Sequence, residues 1–418
     1  MSYGMMDPVE IESFRALLTD EGQALLAELR DYAPGQELAV ATRLRRTHPA
    51  ELVSAAIGQA RLRQRAVAKF GPADAGRMYF TPDGVEQATR TSVAEWRAQR
   101  FKALGVRRLA DLCSGVGGDA IALARVGIEV LAVDRDPLTC AVAEANAAAL
   151  GLDGLIEQRC GDVAEVDLSG FDAVFVDPAR RGGKGGAARS ASGRGGGRAT
   201  GGRIFDPEAY SPPLSWAVAA ARQAPFAALK VAPGIPHEAV PEGAEAEWVS
   251  DGGDVKEAVL WFGTGPAEEQ PHRATLLPGG DTLTGGRLPD PEPGPVRRYL
   301  YEPDGAVIRA HLVAEVAGSL EATLIDPTIA YLTSDRLLAT PFATPYEITD
   351  VLPFGLKKLK ALLRERGVGT VVIKKRGSAV EPEELRRKLK PEGVNSCTVF
   401  LTRVAGAPTM LLGQPVRA

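Results

Sequence analysis

Apolar positions recur at three- and four-residue steps through the first hundred residues. The stretches "SFRALLTDEGQALLAELRDY" and "PAELVSAAIGQARLRQRAVAKFG" carry the spacing that lines one face of a helix. Residues 1–100 are therefore expected to form a helical region that caps the domain after it. From about residue 105 the period changes. The runs "VRRLADL", "EVLAVD", "GLIEQRC", "FDAVFVD", "FAALKVAP", "EAVLWF" and "RATLL" read as strands. Helical stretches or long connections separate the first five, which predicts a parallel sheet with right-handed crossovers. A short loop joins the last two, which are expected to run antiparallel at the sheet edge.

Two stretches interrupt this alternation. Residues 180–203, "RRGGKGGAARSASGRGGGRATGGR", hold ten glycines, seven basic residues and no acid. With no apolar surface to bury, 182–202 is expected to be a disordered insert. Residues 278–296, "PGGDTLTGGRLPDPEPGPV", are dense in proline and glycine and read as a linker. Beyond them, the strands "TVVIKKRG", "CTVFLTRV" and "TMLLG" mix with the helices "LKKLKALLRERG" and "PEELRRKLK". The expected organisation is a helical region over 1–100, an α/β domain over 101–290 carrying the insert, and a small α+β domain over 297–418.

Composition narrows the picture modestly. The chain of 418 residues is 45% apolar and 24% charged, ordinary for a globular protein. Its net charge of −4 gives no overall basic excess, so any nucleic-acid surface must be local. The four cysteines form no CxxC and the histidines no HExxH, which argues against a metal centre or disulfide framework and for a reduced, cytoplasmic setting. No apolar run is long enough to predict a membrane span, and the acidic start "MSYGMMDPVEIESF" lacks the apolar core of a signal peptide.

The candidate chemistry begins at "DLCSGVGGDAIALARVGIEVLAVDRD", residues 111–136. Gly115-x-Gly117-x-x-Ala120 fits the dinucleotide fingerprint, and Asp134 follows where a ribose-binding acid belongs. Asp111 and Asp119, however, would repel a pyrophosphate, which needs backbone N–H groups and a positive helix end. A cationic ligand such as S-adenosylmethionine, with its ammonium and sulfonium, suits an acid at the first strand tip, and the glycines still let the backbone approach closely. Asp119 is expected to stabilise the N-terminus of its helix. Further on, "CGDV" places Asp162 to accept from an adenine amino group, and "FVDPARR" places Asp177 and Pro178 to face a transferable methyl.

These motifs resemble those of class I methyltransferases, especially the trimethylguanosine synthase-like RNA methyltransferase branch. "RMYFTPDGVEQATR" is similar to the segment that precedes the glycine motif in that branch. With "DPARR" and "YSPPL", the whole chain looks like bacterial methyltransferases that carry a C-terminal THUMP-like domain; the core match covers about 75–262 and the THUMP-like match about 297–415. The resemblance implies a Rossmann-like class I methyltransferase sheet and S-adenosylmethionine as cofactor. It further implies a pocket lined by Asp111, Cys113, Gly115, Gly117, Asp134, Asp162 and Val163.

Methyl transfer from a sulfonium is an in-line displacement, so the enzyme mainly positions an acceptor lone pair and takes up a proton. Amino-group methyltransferases use an Asp/Asn-Pro-Pro-aromatic motif. Asp177 and Pro178 keep its first half, whereas Ala179 and Arg180 depart from the second. The expected catalytic set is Asp177, Pro178 and Arg180. Base stacking would come from an arginine plane or from Tyr79, Phe80 or Trp96. Phe80, Thr81 and Arg181 are expected to contact substrate; Arg180 and Arg181 either hold a phosphate or belong to the basic insert. No cysteine follows the fifth strand, which argues against covalent pyrimidine-C5 chemistry. Lys230, in that apolar strand, either snorkels outward or points into the cleft.

Residues 355–390 carry twelve basic side chains against four acids, an excess of eight. Leu356, Leu359 and Leu363 account for one helix face. "IKKRG" has no acid beside it in sequence, so Lys374 and Lys375 are expected to contact RNA. Taken together, the chain reads as a methyltransferase acting on a base in structured RNA, tRNA or rRNA. A methyltransferase for a small molecule or protein, and a non-catalytic RNA-binding protein on the same scaffold, are the alternatives.

Overall fold

A computed structural model describes residues 8–31, 33, 35–179, 206–265 and 272–417. Contacts divide the chain into two units, one of Met1–Ala244 with Ala258–Glu269 and the other of Glu245–Glu257 with Gln270–Ala418.

In the first unit six helices precede the sheet: α1 (Pro8–Leu17), α2 (Asp20–Glu28), α3 (Glu37–Leu44), α4 (Ala50–Ala75), α5 (Pro82–Gln87) and α6 (Thr91–Ala103). The first periodic stretch is two helices rather than one. Thr19 breaks it and caps α2, its hydroxyl accepting from the Gly22 N–H at 3.2 Å. The second stretch kinks at Gly71, whose φ of 72° lies just before Pro72. These helices share one apolar core with the sheet: Val53, Ala56, Phe70 and Phe101 pack in the same cluster as Leu109, Phe175 and Trp261.

The sheet follows as β1 (Arg108–Leu112), α7 (Gly118–Arg125), β2 (Glu129–Asp134), α8 (Pro137–Leu150), β3 (Ile156–Cys160), β4 (Ala173–Val176), α9 (Leu214–Ala221) and β5 (Phe226–Val231). The strands lie in the order β3-β2-β1-β4-β5 and all pair in parallel, as the alternation predicts. Local chemistry sets the helix ends. Asp136 caps α8 through the Thr139 N–H at 2.7 Å, Pro137 opens it, and Gly151 closes it in the left-handed region at φ 73°.

Two strands follow, β6 (Glu245–Asp251) and β7 (Asp254–Phe262). The Ala258–Phe262 part of β7 pairs antiparallel with β5. The second unit contains β6, β8 (His272–Leu277) and β9 (Asp281–Gly285). Here the structure departs from expectation. β8 does not pair with β7; its two edges are taken by β6 in parallel and β9 antiparallel. β9 also lies inside the stretch expected to be a linker, and the second unit starts well before residue 297.

The rest of that unit is β10 (Tyr299–Pro303), α10 (Gly305–Arg309), α11 (Val313–Leu320), β11 (Thr323–Asp326), β12 (Ile329–Ser334), β13 (Ala343–Pro353), α12 (Leu356–Glu365), β14 (Val368–Lys375), α13 (Pro382–Leu389), β15 (Asn395–Val404) and β16 (Ala407–Pro415). Its seven strands run β11-β12-β10-β13-β16-β15-β14, mostly antiparallel. Leu359 and Leu363 of α12 and Leu385 and Leu389 of α13 bury against one face of that sheet with Val399 and Leu412. Leu300, Tyr331, Tyr346 and Phe400 form a separate core.

Candidate active site

Strand order reverses between β1 and β4, and the crevice beyond their carboxyl ends is where open α/β sheets bind ligands. Asp111 is the penultimate residue of β1, and Asp177 follows β4 directly. Asp111 is wholly buried, and neither carboxylate oxygen has a hydrogen-bond partner. Burial, followed by the Asp177 charge, pushes its pKa up to about 7, with Arg97 and Lys230 offsetting part of the effect.

The chain then turns tightly. The N–H groups of Cys113 and Ser114 both donate to the Val133 carbonyl, at 2.9 and 3.0 Å. Cys113, Gly115 and Gly117 all take positive φ, at 66°, 57° and 87°. Gly115 donates its N–H to one oxygen of Asp134 at 3.0 Å, and Asp136 donates to the other at 3.0 Å. The second strand tip is thereby locked to the glycine turn. Burial raises Asp134 despite these two bonds. Asp162 is exposed and caps a short 3₁₀ turn that Val163 opens, accepting from the Ala164 N–H at 2.9 Å.

An S-adenosylmethionine molecule fits this chemistry. The Asp111 carboxylate and the buried Ser114 hydroxyl have no hydrogen-bond partner among the described residues, so a ligand that hydrogen-bonds to them suits the crevice. A cationic amino acid end supplies one. Asp134, although engaged by two N–H groups, keeps lone pairs for a diol.

Asp177 is joined to Lys230. The lysine does not snorkel outward: its ammonium is buried and donates to Asp177 Oδ2 at 2.6 Å and to Thr89 Oγ1 at 2.8 Å. Nearby, the Lys69 ammonium donates to the carbonyls of Glu86 and Ala88 at 2.6 and 2.7 Å. Burial, then the Lys230 charge, brings Lys69 down to about 8. Pro178 is buried behind Asp177. Ala179 forms a reciprocal backbone pair with Ser211, at 3.0 and 3.1 Å, so "YSPPL" is stitched to "DPA".

The segment before the glycine turn is held by internal packing and hydrogen bonds. Phe80 is buried against Phe70 with ring centroids 5.3 Å apart, and its backbone is held at both ends by the Gln59 side chain. Tyr79 is also buried, and its hydroxyl accepts from Gln23. Both rings are thus buried among side chains of the helical region and the segment before the turn. Thr81 caps α5, accepting from the Gly84 N–H at 2.9 Å. Asn146 of α8, fully buried, bonds both backbone groups of Tyr79 and the Val116 carbonyl, tying this segment to the turn.

Asp119 has a stronger partner than the helix end. It forms a buried ion pair with Arg97, whose guanidinium also lies 4.4 Å from the centre of the Phe175 ring. Sequence reasoning missed Arg97, Thr89 and Asn146 because each meets its partner far along the chain. Likewise Cys140 and Cys160 meet in space: burial, then a hydrogen bond to Cys160, pushes the Cys140 thiol up, and both remain free thiols.

In the second unit the "IKKRG" cations are compensated after all. Lys374 pairs with Glu302, Lys375 with Glu381 at 2.7 Å, and Arg376 with Glu302 at 3.9 Å. The acids come from β10 and from the residue before α13, so adjacent sequence did not show them. Lys357, Lys358, Lys360 and Arg364 on α12, and Arg387 and Lys390 at the end of α13, are exposed without an ion pair among the described residues. Arg180, Arg181 and the 182–202 insert lie outside the described residues. Among those described, no helix is long and apolar enough to cross a membrane, and no acid, histidine and cysteine cluster suits a metal ion.

Known proteins match this architecture in parts and as a whole. Residues 106–188 match the family described as RNA cap guanine-N2 methyltransferase, residues 343–415 a THUMP domain-like family, and residues 10–66 a domain of unknown function. An uncharacterized S-adenosylmethionine-dependent methyltransferase of Mycobacterium tuberculosis is 31% identical over 355 residues, covering 82% of this chain and 90% of its own. A 23S rRNA (uracil(1939)-C(5))-methyltransferase of Shewanella amazonensis is 35% identical over 117 residues, 26% of each chain. A solved candidate methyltransferase from Porphyromonas gingivalis W83 superimposes with a TM-score of 0.73 at 21% identity, covering 92% of this chain and all of that one, which shows a shared fold.

Proposed function

Because the chain belongs to the S-adenosylmethionine-dependent methyltransferases, we propose that it methylates a nitrogen of a base in structured RNA, tRNA or rRNA, in the cytoplasm. The observation that carries the reading is the β4 tip, where one oxygen of Asp177 and both oxygens of the buried Asp111 have no hydrogen-bond partner among the described residues. The bound cofactor supplies a methyl group on a cationic sulfur. Asp111 takes the cationic amino acid end, Asp134 the ribose, and Asp162 with Val163 the adenine. Cys113 and the two glycines wall the pocket. Asp177, backed by Pro178 and followed by Arg180, orients the acceptor nitrogen and accepts its proton.

Nitrogen is favoured over carbon as the acceptor. Covalent pyrimidine chemistry needs a thiolate. Burial and the charges of Asp134, Asp177 and Asp111 push the Cys113 thiol up, away from that form. RNA is favoured by the two matched families and by the free cations of α12 and α13.

The test is transfer of labelled methyl to total RNA from a strain lacking this gene, followed by nucleoside mass spectrometry. Wild-type protein should label that RNA and not the parent strain's, and Asp177→Ala should abolish labelling while S-adenosylhomocysteine affinity stays within a few fold. Label on protein or small molecules alone, or full activity of Asp177→Ala, overturns the proposal.

A further inference from the structure

We infer that Lys230, with Thr89, is a positioning residue for methyl transfer, fixing Asp177 so that a single carboxylate oxygen meets the acceptor. The inference rests on the role given to Asp177 above. Lys230 sits in a strand whose neighbours Leu229 and Val231 are fully buried, and it is itself 4% exposed. Burying an ammonium costs several kcal/mol unless it is paired and hydrogen-bonded. Here two partners meet it: Asp177 Oδ2 at 2.6 Å and Thr89 Oγ1 at 2.8 Å.

The geometry is asymmetric. Thr89 and Lys230 are buried, whereas the Asp177 side chain is 24% exposed, the open end of the chain of contacts. Oδ2 is occupied, and Oδ1 has no protein partner among the described residues. The lysine therefore removes the rotational freedom by which the two oxygens would exchange. Thr89 lies between α5 and α6, so the pair also ties the segment before the glycine turn to the tips of β4 and β5. In the transfer step the new carbon–nitrogen bond forms from the nitrogen lone pair. The carbon–sulfur bond breaks with its electrons staying on sulfur, and the displaced N–H proton passes to Asp177 Oδ1 and then to water.

The full-length protein and the variants Lys230→Met, Lys230→Arg, Asp177→Ala and Asp177→Ala with Lys230→Met test this. Turnover uses total RNA from the gene-deleted strain. Lys230→Met should lower kcat by about 10- to 100-fold, the loss expected when a reacting group moves by roughly 1 Å. KM and S-adenosylhomocysteine affinity should hold, and Lys230→Arg should restore most of the rate. In the Asp177→Ala background, removing Lys230 should leave S-adenosylhomocysteine affinity unchanged. The carboxyl-carbon resonance of labelled Asp177 should move in Lys230→Met and return toward its position in Lys230→Arg, a readout independent of any RNA. An unmoved resonance, or full turnover of Lys230→Met beside an inactive Asp177→Ala, overturns the inference alone. A fully active Asp177→Ala overturns the reading on which it stands.

Discussion

Replacing Asp111 with asparagine should stabilise the ligand-free protein at high pH while destroying its affinity for the cofactor. The side chain is wholly buried, both oxygens lack a partner among the described residues, and its pKa is raised from 3.8 to about 7. The folded state therefore holds a proton that the unfolded chain has already released. Its stabilising effect is complete below about pH 4 and disappears as pH rises toward 7, because stability falls wherever the native state binds more protons. A shift of about three units corresponds to roughly 4 kcal/mol. Asparagine cannot ionise, so Asp111→Asn should match wild type near pH 4 and exceed it by up to about 4 kcal/mol near pH 8. Urea unfolding across that range measures the difference. Calorimetry with S-adenosylhomocysteine should show proton release on binding to wild type near pH 6.5 and weak binding to the variant. A variant less stable than wild type at pH 8, or one with the same pH slope, would refute the argument that Asp111 is an unsatisfied charge kept for a cationic ligand.

Other outcomes follow from the same geometry. Asp134→Ala should weaken S-adenosylhomocysteine binding by roughly 1–3 kcal/mol, the loss of a charged acceptor, as titration calorimetry will show. Arg97→Met should destabilise the protein by about 3–5 kcal/mol by leaving Asp119 buried and unpaired, and adding Asp119→Leu should recover much of that in urea unfolding. Lys357→Glu with Lys358→Glu and Lys360→Glu should weaken binding to the gene-deleted strain's RNA and flatten its salt dependence by about one unit per lost phosphate contact, read by filter binding.

The five parallel strands and the glycine turn were legible because their signals are local: short apolar runs, a capped helix, a strand ending in an acid. What escaped depended on distant partners. β6 reads "EAEWVSD", and its acids at alternate positions suggest a wet face. In the fold Glu247 bonds Thr275 at 2.6 Å and Glu245 bonds Arg273 at 2.5 Å, both on β8. β9 was hidden by the prolines and glycines around it. Asp119 looked like a helix-end charge because Arg97 lies on another helix. Lys374 looked uncompensated because Glu302 is on another strand. Lys230 was recognisable as odd, but only the positions of Asp177 and Thr89 decide which way it points. In the site, residue type and spacing therefore located the strand tips, while the pairing among them required the fold.

The reciprocal backbone pair holds Ala179 and Ser211 side by side, although 32 positions separate them in sequence. Lengthening a loop whose ends are already held together costs only about 0.6 kcal/mol per doubling. Ala179 lies two residues from Asp177. A fluorophore-bearing peptide or a photo-crosslinker spliced in between these two residues would have both its ends pinned by that pair. Such a reporter, tethered beside Asp177, tests by crosslinking which molecule approaches that carboxylate.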